Sequence, residues 1–249
     1  MKISVFAALL SCLLFAQCSK KDTIAPVSPA ELNNKSVGAS ANDFLSAAKY
    51  TSIKVQLQYM PGFAPNAAAL DSLTTFLNLL IIKPGGINIT QTPIAASGKS
   101  IFTQADISEL EKSNRTQFNS GNELSVYIVF VDAPYSTANV LGVAYKNTSL
   151  VIFGPTVNSN SGGLNQPARS KLESTVEKHE FGHLLGLTNI GTPMVTNHED
   201  AGHLGHCNNS ACLMYFSTQT TIMGGILLNS PVPVLDANCR ADLQAFGGK

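Results

Sequence analysis

The chain has 249 residues, 44 % of them hydrophobic and 13 % charged, and its Lys and Arg balance its Asp and Glu at 16 each. That length holds one ordinary domain plus a leader, or two small domains, and the apolar fraction is enough for a substantial core. A formal net charge of zero and the lack of any basic run argue against a nucleic-acid partner, while a low-charge surface rich in Asn, Ser, Thr and Gln fits an extracellular protein.

In chain order, Met1-Lys2 and the apolar run from Val5 to Ala16 read as a signal peptide, too short to span a bilayer as a stable helix. The run ends in Phe15-Ala16-Gln17-Cys18 and continues with Ser19-Lys20-Lys21-Asp22. Small residue, any residue, Cys, then polar residues resembles a bacterial lipoprotein signal, although a smaller residue than Gln17 is expected beside the cysteine. The Ser-Lys-Lys-Asp that follows is similar to the export tag of surface lipoproteins in Bacteroidetes. The resemblance implies that residues 1–18 are a signal peptide ending at a lipidated Cys18. Lipid is then the only membrane anchor, and the protein sits at the bacterial outer membrane or cell surface. Plain secretion or a periplasmic protein is the alternative. Residues 19–50, with Pro26, Pro29, Gly38 and many Ser, Ala and Asn, read as a flexible tether, leaving 51–249 as the folded domain.

Ile53, Val55, Leu57 and Tyr59 alternate with polar residues, the pattern of a half-buried strand. Pro65-Asn66 opens a helix whose Leu70, Leu73, Leu77 and Leu80 share one face, and Lys83-Pro84-Gly85-Gly86 stops it. A short strand follows at Ile87–Thr90. Thr103 with Asp106 resembles a capping box opening a more polar helix to about Phe118. Leu124 to Val131 is almost continuously apolar and β-branched, as a strand covered on both faces is. Two short strands are expected near Val140–Tyr145 and Leu150–Phe153, then a Gly/Asn/Ser-rich loop from Gly154 to Gln166 and a helix from about Ala168 to Leu187.

That helix carries His179-Glu180-Phe181-Gly182-His183. Residues four apart on a helix lie one above the other, so two imidazoles so placed reach one ion. Zinc favours nitrogen ligands and, in catalytic sites, keeps an open position. Glu180, on nearly the same side, is the candidate general base, taking a proton from the attacking water and passing it to the leaving amine. Two surface histidines on an ordinary helix would explain the same letters. Against that, all five histidines lie between His179 and His206, whereas unrelated surface histidines would scatter.

His179 to Gly186 resembles the metzincin pattern HExxHxxG, in which the glycine turns the chain towards a third histidine three positions on. Asn189 occupies that position here. Downstream, His206-Cys207 through Cys212-Leu213-Met214-Tyr215 is similar to the third-histidine and Met-turn stretch of matrixin-like metzincins, and its Cys207, Cys212, Met214 order is similar to archaemetzincins. The resemblance implies a loop inserted before the third ligand, with His179, His183 and His206 on zinc and Met214 beneath it. His198 and His203, in the inserted loop beside Glu199 and Asp200, compete with His206 for the third position. The two acids by themselves read as solvated. Leu141-Gly142-Val143-Ala144-Tyr145 resembles the family's edge strand, whose backbone pairs with an extended peptide; a plain glycine-containing edge strand is the alternative.

Three cysteines follow the leader: Cys207, Cys212 and Cys239. In an exported chain they favour one disulfide and a leftover thiol. Archaemetzincins use four in a second, structural zinc site ending Cys-x-x-Cys, and Asp236 stands where the first of that last pair belongs, which makes a second ion the less favoured alternative. The resemblance as a whole implies an α/β (α+β) fold, a twisted mixed sheet with two long helices and a small irregular C-terminal part. It implies a zinc-dependent endopeptidase acting on extracellular proteins or peptides. A non-catalytic, metal-containing surface lipoprotein that binds glycan or protein is the rival. Glu180 argues against it, because binding needs the ligands but not the base. A structural lipoprotein without metal is the second rival, and the histidine clustering argues against it.

Overall fold

The computed structural model describes residues 28–249. The leader and Cys18 lie outside the described residues. Elements follow in the order α1 (Pro29–Leu32), α2 (Ala41–Leu45), β1 (Ser52–Tyr59), α3 (Ala67–Leu80), β2 (Ile87–Pro93), α4 (Gln104–Asn114), β3 (Glu123–Val131), β4 (Gly142–Lys146), β5 (Ser149–Phe153), α5 (Gly154–Ser159), α6 (Arg169–Leu184), a 3-10 turn (Phe216–Gln219), α7 (Ile222–Asn229) and α8 (Ala237–Ala245). The five strands form one mixed sheet in the order β2-β1-β3-β5-β4; only the β4 edge runs antiparallel to its neighbour. Among the described residues no helix is long and apolar enough to cross a membrane.

Local chemistry accounts for the expected elements. Asn66 caps α3 through Ala68 N–H, and Leu70, Leu73, Leu77 and Leu80 are buried as one face. The Thr103–Asp106 capping box opens α4, and β3 is buried almost throughout. Helix α4 ends at Asn114, short of the expected Phe118. Arg115 turns extended there and sends its guanidinium inward, to Glu111 Oε1 at 2.8 Å and Ser125 O at 2.9 Å.

Three expectations are corrected. Strand β1 is central rather than half-buried: Gln56 and Gln58 are covered, with their side-chain amides donating to Asn114 O at 3.1 Å. The Gly154–Gln166 segment is not all loop, because Pro155 at the first turn starts the short helix α5. The third is the tether, which is folded from residue 28 onward. Asn33 is buried and donates to Asn119 Oδ1, Ser125 O and Thr148 Oγ1. Phe44, fully buried, meets Phe181 of α6 edge-on at 5.6 Å. Lys83 Nζ donates to the carbonyls of Asp43 and Tyr50 at 2.8 and 2.7 Å. The Ser and Asn content that reads as linker chemistry supplies side-chain hydrogen bonds to a core edge instead.

Helix α6 has no exposed apolar–polar division, being buried from Leu172 to Leu184 except at Lys178. It lies against the sheet, α3, the N-terminal segment and the C-terminal part together. Its end is forced by Gly186, at φ +75°, where an added Cβ would stand 2.6 Å from Thr192 N and 2.8 Å from Ala41 Cβ. Only glycine fits that left-handed, crowded position. The chain then enters the inserted loop, whose first residues Thr188 and Asn189 are also left-handed.

Candidate metal centre

The structure brings His179, His183 and His206 together, with one ring nitrogen from each within 4.8 Å of the others. The Nε2 atoms of His179 and His183 are 3.1 Å apart. Two nitrogens at zinc-ligand distance on a tetrahedral ion stand roughly 3.3 Å apart, so the pair already has the spacing an ion needs. His179 Nδ1 lies 2.7 Å from Leu213 O, and His206 Nδ1 lies 3.2 and 3.3 Å from the carbonyls of Leu204 and His203. Nδ1–H donation to a carbonyl fixes the tautomer that leaves the Nε2 lone pair free. Burial pushes His179 down to about 3 and His183 well below the ordinary imidazole range, with their imidazole neighbours adding to it; burial also lowers His206. These are neutral donors. His206 Nε2 and Glu180 Oε1 are buried without any hydrogen-bond partner. Orphaned polar atoms converging in a buried site fit a bound cation.

Met214 lies beneath this cluster. A Cβ on Gly182, between the two helical histidines, would stand 2.3 Å from Met214 Sδ, so the thioether occupies the space that the glycine leaves. Glu180 is fully buried and accepts the Ala144 N–H on Oε2 at 2.7 Å. Burial pushes its carboxyl up to about 8, against the lowering effect of the Ala144 N–H.

The other two histidines fall elsewhere. His203 is half-exposed, bonded to Asp200 Oδ2 at 2.8 Å and stacked on Phe216 with ring centroids 3.6 Å apart. Asn189 is exposed and reaches only Glu199. His198 is buried, with Nε2 2.7 Å from Asp242 Oδ2 and Nδ1 3.4 Å from Cys207 Sγ.

The cysteines are free, buried thiols rather than the favoured disulfide pair. Cys212 and Cys239 sulfurs are 3.6 Å apart, and Cys207 Sγ lies 3.4 Å from Asp236 Oδ2. One donor atom from each of His198, Cys207, Asp236 and Cys239 lies within 4.8 Å of the others. Hydrogen bonds from the Cys207 and Cys239 thiols, with the N–H groups of Asp236 and Met214 at 3.4 Å, hold Cys212 down at about 4. Sulfur donors with an imidazole beside them are a soft donor set suited to zinc. The chain motif supplied no spacing signal for His198, because only the fold of the inserted loop carries it to the sulfurs.

No protein-family model and no curated protein matches the sequence. Among solved structures the chain is similar to archaemetzincin from Methanopyrus kandleri, with 14% identity and a TM-score of 0.52, over 79% of this chain and 96% of that one. It is also similar to metalloproteinase-II from Bacteroides fragilis, with 17% identity and a TM-score of 0.44, over 80% of this chain and 54% of that one, so it spans about half of that protein's length. The first likeness is one of fold. The chain is a mixed α/β protein built on a five-stranded sheet, with the architecture of an archaemetzincin.

Proposed function

We propose that this protein is a zinc metallopeptidase that hydrolyses peptide bonds of extracellular proteins or peptides. The carrying observation is the three neutral imidazoles converging beside a carboxylate that has one oxygen seated and one oxygen free. His179, His183 and His206 would hold the ion, which when bound lowers the pKa of water and polarises a carbonyl. Ala144 N–H holds Glu180 Oε2, so that Oε1 is the atom available to accept a proton from attacking water and return it to the leaving amine. The outer edge of β4 offers further backbone groups to an extended peptide. A buried site of this kind excludes bulk water, which strengthens each of these interactions.

The cysteine cluster supports a second, structural zinc in preference to a disulfide, with His198, Cys207, Asp236 and Cys239 as the converging donors, Cys212 beside Cys239 and Asp242 behind His198. The lipoprotein signal supports attachment through Cys18 to the outer membrane or cell surface. A binding lipoprotein is the weaker reading, because burying Glu180 without a charge partner is costly and serves no ligand. Glu180→Gln is the test. It should keep its catalytic-site zinc, since Glu180 is not a ligand, and lose most peptide cleavage, by about 100-fold or more. Parental cleavage by that variant would remove the assigned mechanism.

A further inference from the structure

The inserted loop is closed at its neck by a residue in an unfavourable conformation. Thr188, two residues past Gly186, is fully buried at φ +55°, in the left-handed region that a β-branched side chain enters only at a cost. Asn189 beside it, at φ +70°, is of a type that tolerates that region. A residue like Thr188 persists only where its surroundings hold it, and such residues cluster at functional sites. Here the side chain makes a long-range bond. The Thr188 hydroxyl, 2.7 Å from the adjacent Leu187 O, also donates to Gly205 O, 17 residues further on.

Gly205 O belongs to the peptide group that ends in the His206 N–H. A peptide group is planar, so bonds at both its ends fix its orientation and with it the start of His206. Thr188 holds the oxygen, and His203 O accepts the N–H at 3.1 Å. The preceding peptide is held as well. Gly205 N–H donates to Glu199 Oε1 at 2.8 Å, and Leu204 O lies 3.2 Å from His206 Nδ1. Glu199, an acid that reads as solvated in the sequence, therefore has a partner, and its other oxygen lies 3.5 Å from Asn189 Nδ2. The bonds from His203, Leu204 and Glu199 lie inside the inserted loop and travel with it. The Thr188 bond is different, because it joins the His206 peptide to the chain leaving α6, which carries His179 and His183.

We infer that Thr188 is a positioning residue for the catalytic ion: its hydroxyl sets the third ligand, His206, at the right distance from the two on α6. The inference rests on the three-histidine metal centre proposed above and deepens it. Backbone demand alone does not explain a threonine there, since glycine adopts the same conformation without the steric cost. Gly205 is buried, so its carbonyl depends on a donor from the protein.

Three substitutions in the full-length protein separate the hydroxyl from the methyl and the backbone. Thr188→Val keeps the shape and loses the hydroxyl. Thr188→Gly frees the backbone and loses the hydroxyl. Thr188→Ser keeps the hydroxyl and loses the methyl. Zinc affinity is measured by chelator competition, with His206→Ala giving the zinc held outside the histidine site, and thermal unfolding shows that each variant folds. Thr188→Val and Thr188→Gly should bind zinc at the histidine site about 10- to 100-fold more weakly, the usual loss when a partner behind a ligand is removed, and Thr188→Ser should stay within about three-fold of the parent. Parental affinity in Thr188→Val with weak binding in Thr188→Ser would make packing of the methyl the cause, and tighter binding in Thr188→Gly would make the left-handed threonine a hindrance; either overturns the inference. Should Thr188→Val not fold, Glu199 tests the same peptide from a partly exposed side chain. Glu199→Ala frees Gly205 N–H and should weaken zinc in the same sense, whereas Glu199→Gln keeps the accepting oxygen and should not. Parental affinity in Glu199→Ala would overturn the inference by that route. If His206→Ala holds as much zinc as the parent, the metal-centre reading itself fails. If it loses zinc while Thr188→Val binds as the parent does, the assignment of Thr188 fails alone.

Discussion

Gly142 has an ordinary φ, so only close packing demands a glycine there. A Cβ at that position would stand 2.8 Å from Val176 Cγ1 and 3.1 Å from both Glu180 Cγ and Ile152 Cδ1. Carbon atoms settle at about 3.5–4.0 Å, so three buried side chains must give way in Gly142→Ala. Val176 is β-branched on a helix and is confined to one rotamer, so the strain is relieved by a shift of α6 that carries Glu180 with it, together with the Ile152 side chain. Overpacking of this kind costs about 1–3 kcal/mol, or roughly 2–10 °C of Tm for a chain of this size. Moving Glu180 also breaks its bond to Ala144 N–H. A hydrogen bond to a charged group is worth about 1.5–3 kcal/mol, so kcat should fall about 10- to 100-fold. Zinc content should hold, because the three atoms nearest the added methyl belong to none of the three histidines. Thermal unfolding, metal per chain, and kcat with KM on a short peptide measure the three effects together. Parental kcat in a protein with parental Tm would refute the idea that Gly142 seats the base.

Further outcomes follow from the same geometry. His206→Ala should lose the catalytic ion and all activity. His203→Ala should keep both, and His198→Ala should keep activity while emptying the cysteine cluster, all read as zinc per chain by elemental analysis. Full metal and activity in His206→Ala would hand the third ligand role to the inserted loop. In metal-free protein, burial raises Glu180 from the ordinary 4.5 to about 8, so the native state holds a proton that the unfolded chain releases above its own pKa. That contribution to stability is fully present below about pH 4.5 and is lost as pH rises to about 8, at up to about 1.4 kcal/mol per pH unit. Denaturant curves at pH 5 and pH 7.5 should therefore fall more steeply with pH for the parent than for Glu180→Gln, and parallel profiles would contradict it. Cys18→Ala should move the protein from the membrane fraction to the soluble one; unchanged retention would sink the lipid anchor.

The inserted loop need not be a weakness in the site. It leaves α6 through two left-handed residues, folds back on itself through Asp200 N–H donating to His206 O, and buries His198 against Asp242. The carbonyls of His203 and Leu204 within this loop are those that orient His206. An insertion that supplies its ligand's own outer partners can lengthen the chain without loosening the metal site.

What was legible in the sequence was whatever local periodicity or spacing encodes. The Leu70–Leu80 stripe, the Thr103 cap, the apolar run of β3 and the i, i+4 histidines each state their geometry within a few residues, because backbone sterics and one helical turn suffice to decide them. His206 was legible through its spacing to Met214. Elements decided by contacts distant in sequence were not legible. Gln56 and Gln58 look solvent-facing until the segment after α4 covers them, and Asn33 and Phe44 look like tether until Ser125, Thr148 and Phe181 arrive beside them. His198 joins the sulfurs, and Ala144 N–H meets Glu180, only across folded loops and a sheet edge. Local sequence sets which conformations are cheap, whereas burial and hydrogen-bond satisfaction depend on partners that only the complete tertiary arrangement brings within reach.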